Sequence, residues 1–165
     1  MLAAALHTPY RRGMLPDVSR SLPDIAALIG DARAGHAVAL GVRHVAHGAD
    51  WCELALDYDR RLISDTATGV LASGPIVSLM DMAAAMSVWL RRGERIRIAT
   101  LDLRLDYLCP ATPGQTVIAR AECYRLGRRI AFVRGTAHHG PAEMPIAHAA
   151  GTFALADDAV ESGAA

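Results

Sequence analysis

Between Pro75 and Leu90 the chain carries a single charged side chain, Asp81, in the run PIVSLMDMAAAMSVWL. Apolar residues occur on every side of that run, which predicts a buried helix with one carboxylate in its middle. Pro75 suits the first turn, Arg91 and Arg92 suit the negative end of the helix dipole, and Gly93 suits the residue just past the end. At about 1.5 Å per residue the helix is roughly 27 Å long, the span of a small domain. After Gly93 the period changes to two. Leu101, Leu103, Leu105 and Tyr107 alternate with Asp102, Arg104 and Asp106, as in a half-buried antiparallel strand. Ile96 and Ile98 have the opposite parity, so a bulge is expected near Ala99-Thr100. QTVIARAECYRL, RRIAFVRGTAHH and IAHAAGTFALA read as three further strands, with turns at 110–114, at Gly127 and over GPAEMP. Upstream, AVALGVRHV and WCELALDY read as strands around the turn AHGAD. Residues 21–34 (SLPDIAALIGDARA) carry the signals of a short helix, and residues 1–20 read as a loosely ordered arm.

One long apolar helix and about six strands, four of them consecutive after it, imply an α+β fold with a curved antiparallel sheet wrapped around the helix. A single sheet covers only one side of a helix, so the pattern also predicts a dimer. The 165 residues fit one domain. Division falls at 1–36 (arm and short helix), 37–156 (the α+β domain) and 157–165 (a tail).

Composition narrows the functional classes. Seventeen basic residues, all Arg, balance seventeen acidic ones, which gives no general pull toward nucleic acid or an anionic membrane. Cys52, Cys109 and Cys123 are an odd set without C-x-x-C spacing, as expected of packed thiols in a reducing cytoplasm. No apolar run reaches 18 residues and MLAAAL is short for a signal segment, so a cytoplasmic protein without a membrane span is expected. His44-x-x-His47, His138-His139 and His148 have no carboxylate or Cys at ligand spacing, so no metal is expected.

Gly69-Val70-Leu71, Asp81, Thr100, Leu108-Cys109-Pro110 before Gly114, Gly127-Arg128-Arg129 and Ala149-Ala150-Gly151-Thr152-Phe153 stand in an order and spacing that resembles PaaI-like (phenylacetate-degradation-type) hotdog-fold acyl-CoA thioesterases. The resemblance covers about residues 37–156. It implies a dimeric hotdog fold, open to pairing into a tetramer of two dimers, acting on acyl-CoA with no cofactor beyond the coenzyme A of the substrate. Where that family has His-Gly-Gly, this chain has Ala72-Ser73-Gly74, and Thr66 falls near an Asn found in some members.

The resemblance assigns Asp81 as base or nucleophile and Thr100 as a hydroxyl reaching across the dimer to orient water or the carboxylate. It assigns the Ser73 and Gly74 amides to the developing oxyanion, and Arg128 and Arg129 to coenzyme A phosphates; Ser78 and Thr66 are the remaining candidates for substrate contact. Plainer readings stand beside each. Burying a carboxylate without a cation costs free energy, yet Asp81 is also explicable as a structural group bonded to Ser78 or to backbone amides. Thr100 fits a strand for its β-branch alone, Ser73 fits a helix cap, and the Arg pair fits a solvated turn. Three functions follow: thioester hydrolysis, a non-catalytic acyl-CoA-binding module suggested by Ala72, or a hotdog hydratase, which would require a His that residues 59–73 lack.

Overall fold

The computed structural model describes residues 35–140 and 144–159. The arm over 1–20, the helix expected over 21–34, part of the GPAEMP turn and the last six residues lie outside the described residues. Eight principal elements follow in order: α1 (His36–Leu40), β1 (Val42–His47), β2 (Trp51–Leu56), α2 (Ser73–Arg92), β3 (Ile96–Tyr107), β4 (Val117–Leu126), β5 (Ile130–His138) and β6 (Ala147–Ala159), with a 3-10 turn at Arg60–Leu62. The strands form one sheet in the order β1-β2-β4-β5-β6-β3, every pair antiparallel.

Helix α2 ends as the sequence predicts. Gly93 adopts the left-handed conformation at φ 78°, and its N–H returns to the carbonyls of Trp89 and Leu90. The indole Nε1 of Trp89 donates to Ile96 O at 2.9 Å, fastening the helix end to the start of β3. Facing the helix, β2, β4 and β5 present Leu54, Leu56, Ala119, Ala121, Ala131 and Val133, all buried, against Ile76, Leu79, Met80, Ala83 and Val88. Small residues on that face let the layers approach. At Gly135 a Cβ would stand 2.8 Å from Met80 Cε and 2.6 Å from Arg120 O, so only glycine fits.

Residues 37–40 are helical and not a strand. Gly41 takes φ 73° and turns its N–H back to the carbonyls of Ala37 and Val38, which closes a helical turn where a strand would have to stay extended. The anticipated bulge in β3 lies between Thr100 and Asp102, with a second irregularity between Ile96 and Ile98. Leu101 is the residue passed over, and it is 58% exposed.

Strand β3 is an edge strand, and along it Leu101, Tyr107 and the following Leu108 are exposed rather than half-buried. Helix α2 is uneven in the same way. Its sheet-facing residues are buried, whereas Val77 is exposed and Asp81, Met82 and Ala85 are half-buried. Helix α2 is long and apolar enough to cross a membrane, but here it is the core helix of the sheet.

Candidate active site

The segment that delivers the chain to α2 is pinned by backbone bonds. Ser64 N–H donates to Val70 O at 2.8 Å, Ala72 N–H donates to Leu62 O at 2.8 Å, and Tyr58 Oη–H donates to Gly69 O at 2.8 Å. Ala72, extended at φ −64° and ψ 152°, is the N-cap, and no side chain caps the helix. Ser73 is therefore the first helical residue and not the cap. Its amide and that of Gly74 belong to the first turn, where N–H groups have no intrahelical acceptor, and Pro75 contributes none. Both residues are exposed. On the other side, Tyr107 Oη–H donates to Ser73 O at 3.2 Å, tying the end of β3 to the helix start. Partial burial pushes the Tyr107 phenol upward, so it remains a neutral donor.

Two turns into the helix, Asp81 Oδ1 accepts a 2.8 Å hydrogen bond from Thr100 Oγ1. The bulge beside Thr100 accompanies this geometry, since a displaced register re-aims side chains. The bond lies within one chain. The expectation that Thr100 reaches across a dimer is thereby corrected: β3 and α2 of the same chain are close enough to join the pair. Asp81 thus bonds Thr100, and Ser78, the structural partner suggested by the sequence, turns elsewhere. Ser78 Oγ stands 2.9 Å from His36 Nε2 of α1.

The other candidates are not drawn into this group. Thr66 is exposed in the turn 65–69, and no hydrogen bond joins it to Asp81 or Thr100 among the described residues. Arg128 and Arg129 are exposed in the β4–β5 turn, where Gly127 N–H donates to Ile130 O and Leu155 N–H to Arg129 O. Among the described residues no group of three or more His, Cys, Asp or Glu is placed to hold a metal. Burial pushes the Cys52 thiol up to about 12 and that of Cys123 to about 11, which marks both as packing groups.

Sequence reasoning missed His36 and Tyr107 as neighbours of the site. Tyr107 carried a signal, its alternation with the β3 leucines, but was read as strand packing. His36 carried none, lying 42 residues from Ser78.

A long helix in the hollow of a six-stranded antiparallel sheet, with a carboxylate–hydroxyl pair where helix meets edge strand, defines a hotdog protein. The thioesterase superfamily profile matches residues 68–146, the stretch holding α2 and β3 to β5. The medium/long-chain acyl-CoA thioesterase YigI of Escherichia coli K12 is 29% identical over 128 residues, covering 70% of this chain and 81% of that protein. A crystallised protein from Pseudomonas aeruginosa superposes with a TM-score of 0.69 at 33% identity, covering 78% of this chain and 94% of the other. PaaI, from the phenylacetic acid degradation operon of E. coli, shares the fold at a TM-score of 0.68 and 16% identity, over 81% of this chain and 93% of its own. The chain resembles the thioesterase superfamily over residues 68–146 and has the hotdog fold that PaaI shares.

Proposed function

We propose that the protein hydrolyses acyl-CoA thioesters to a free acid and CoA, with Asp81 attacking the carbonyl or activating the water that does. The observation that carries this reading is the Thr100–Asp81 bond. A hydroxyl that donates to one carboxylate oxygen fixes the group and leaves the second oxygen for a water or a carbonyl carbon. The relative YigI is an acyl-CoA thioesterase by name, which supports the substrate class. Arg128 and Arg129 are the groups we assign to the coenzyme A phosphates, with Ser78 and Thr66 toward the rest of the substrate.

The oxyanion donors imply a homodimer, itself open to pairing into a tetramer. Ser73 and Gly74 precede Asp81 by eight and seven residues, a rise of about 12 and about 10.5 Å along the axis. A direct attack spans roughly 7 Å from carboxylate oxygen to amide nitrogen, at about 3 Å for each contact plus the carbonyl bond. An interposed water reaches about 10 Å only if every link lies on one line, whereas attack on a carbonyl is bent. The amides serving Asp81 therefore belong to the helix start of a second copy. The exposed edge strand β3 and the uncovered side of α2 around Val77 are surfaces such a copy would cover. We place the reaction in the cytoplasm, where acyl-CoA and three unpaired cysteines are both at home.

The test is thiol release from a panel of aliphatic and aromatic acyl-CoAs, with Asp81→Asn as control. Asparagine keeps the shape and the bond to Thr100 but cannot take a proton, so turnover falls at least about 100-fold while the fold persists. A wild-type protein that binds these compounds and releases no thiol would instead be the binding module that Ala72 suggests. An Asp81→Asn protein as fast as wild type assigns the chemistry elsewhere.

A further inference from the structure

Two serines of α2 behave differently. Ser87 is buried, and its hydroxyl donates back to Ala84 O at 2.7 Å, the usual fate of a serine inside a helix. Ser78 is half-buried, and its oxygen instead meets His36 Nε2 at 2.9 Å. The imidazole arrives on α1, a five-residue helix with no buried residue, of which Ala37 and Leu40 rest against the core. Ser78 precedes Asp81 by three residues, so their Cβ atoms are about 5–6 Å apart on one helix face. A histidine contact thus holds a hydroxyl away from the backbone, one turn from the carboxylate.

We propose that His36 is a positioning residue for the thioester. Its Nε2–H donates to Ser78 Oγ, which leaves the Ser78 hydroxyl hydrogen free to donate to the carbonyl oxygen of a substrate at Asp81. Without the imidazole that hydroxyl would turn back to the Pro75 carbonyl, as Ser87 does to Ala84 O. The inference rests on Asp81 as the reacting carboxylate and adds to it a residue from outside the sheet-and-helix core.

The experiment uses the full chain and two ligands, decanoyl-CoA and the thioether S-decyl-CoA, which lacks the carbonyl. Affinities are measured by calorimetry in the Asp81→Asn background, where the thioester persists. His36→Ala and Ser78→Ala should each weaken decanoyl-CoA about 5–10-fold and leave the thioether unchanged, as expected for one lost hydrogen bond. The double variant should be no weaker than either single one, because His36 acts through Ser78. His36→Gln, which retains an N–H donor, should restore most of the loss. Equal weakening of both ligands would make α1 a mere wall of the pocket and overturn the proposal. So would no change in either, or losses that add. If Asp81→Asn instead retains full turnover, or decanoyl-CoA does not bind at all, the reading of the site fails first and this inference with it.

Discussion

Thr100 bears on Asp81 through a single 2.8 Å donor bond, at a position where an ordinary β-branched residue would suit the strand equally well. Replacing it with valine separates the two roles, because valine keeps the branch and volume and deletes only the hydroxyl. In Thr100→Val, losing the donor that orients the carboxylate should lower kcat by about 10–100-fold, while the thermal midpoint should change little because Thr100 is exposed. Thr100→Ser should retain most activity. A valine variant with undiminished kcat reduces Thr100 to a strand residue. Asp81 was legible in the sequence because a lone charge in sixteen residues of apolar helix is conspicuous, whereas Thr100 was singled out by the family resemblance, with a change of parity only placing a bulge beside it. His36 was not legible, since no local pattern reports a contact made 42 residues away.

Helix and strands form two layers, and two of the three thiols lie between them. Cys52 on β2 and Cys123 on β4 are both buried, on the side of the sheet that faces α2. Burial raises both thiols above the ordinary value of 9.0, to about 12 and about 11. A folded pKa above the unfolded one means the native layer holds its protons more tightly. The associated stability is complete below about pH 9 and is lost as pH rises toward 11–12. Tyr107, raised by burial too, adds to the same trend. The urea midpoint should therefore fall between pH 9 and 11, and less steeply in Cys52→Ala; a flat profile would show that these thiols are solvated. Strand β1 illustrates the limit of pattern reading at this scale. AVALGVRHV is apolar enough for a strand throughout, and the left-handed Gly41 alone decides that its first half is helix. Likewise β3 alternates as a half-buried strand does, yet in one chain much of its apolar series is exposed, because alternation reports a face meant for burial without naming what buries it.

At the scale of the whole molecule, Asp81 and the first-turn amides of α2 are too far apart along one helix to act on one carbonyl, so the working unit should hold two chains. Sedimentation at micromolar concentration should show at least a dimer, but assembly alone does not say which chain supplies which group. Two inactive variants can. Ser73→Pro deletes the first amide N–H of the helix, and it should fold: proline is at home in the first helical position, and Ala72 at ψ 152° already has the backbone a following proline requires. Losing one oxyanion donor should cost about 100–1,000-fold in kcat, and Asp81→Asn at least about 100-fold. When the two are co-expressed, a mixed dimer joins the intact amide of one chain to the intact carboxylate of the other. One of its two sites is then whole and the other carries both lesions. With random pairing about half the dimers are mixed, so the mixture should recover roughly a quarter of wild-type activity, far above either parent. Were the amide and carboxylate of each site supplied by the same chain, every site in the mixture would keep one lesion and no activity would return, and the site would have to be rebuilt within a single chain.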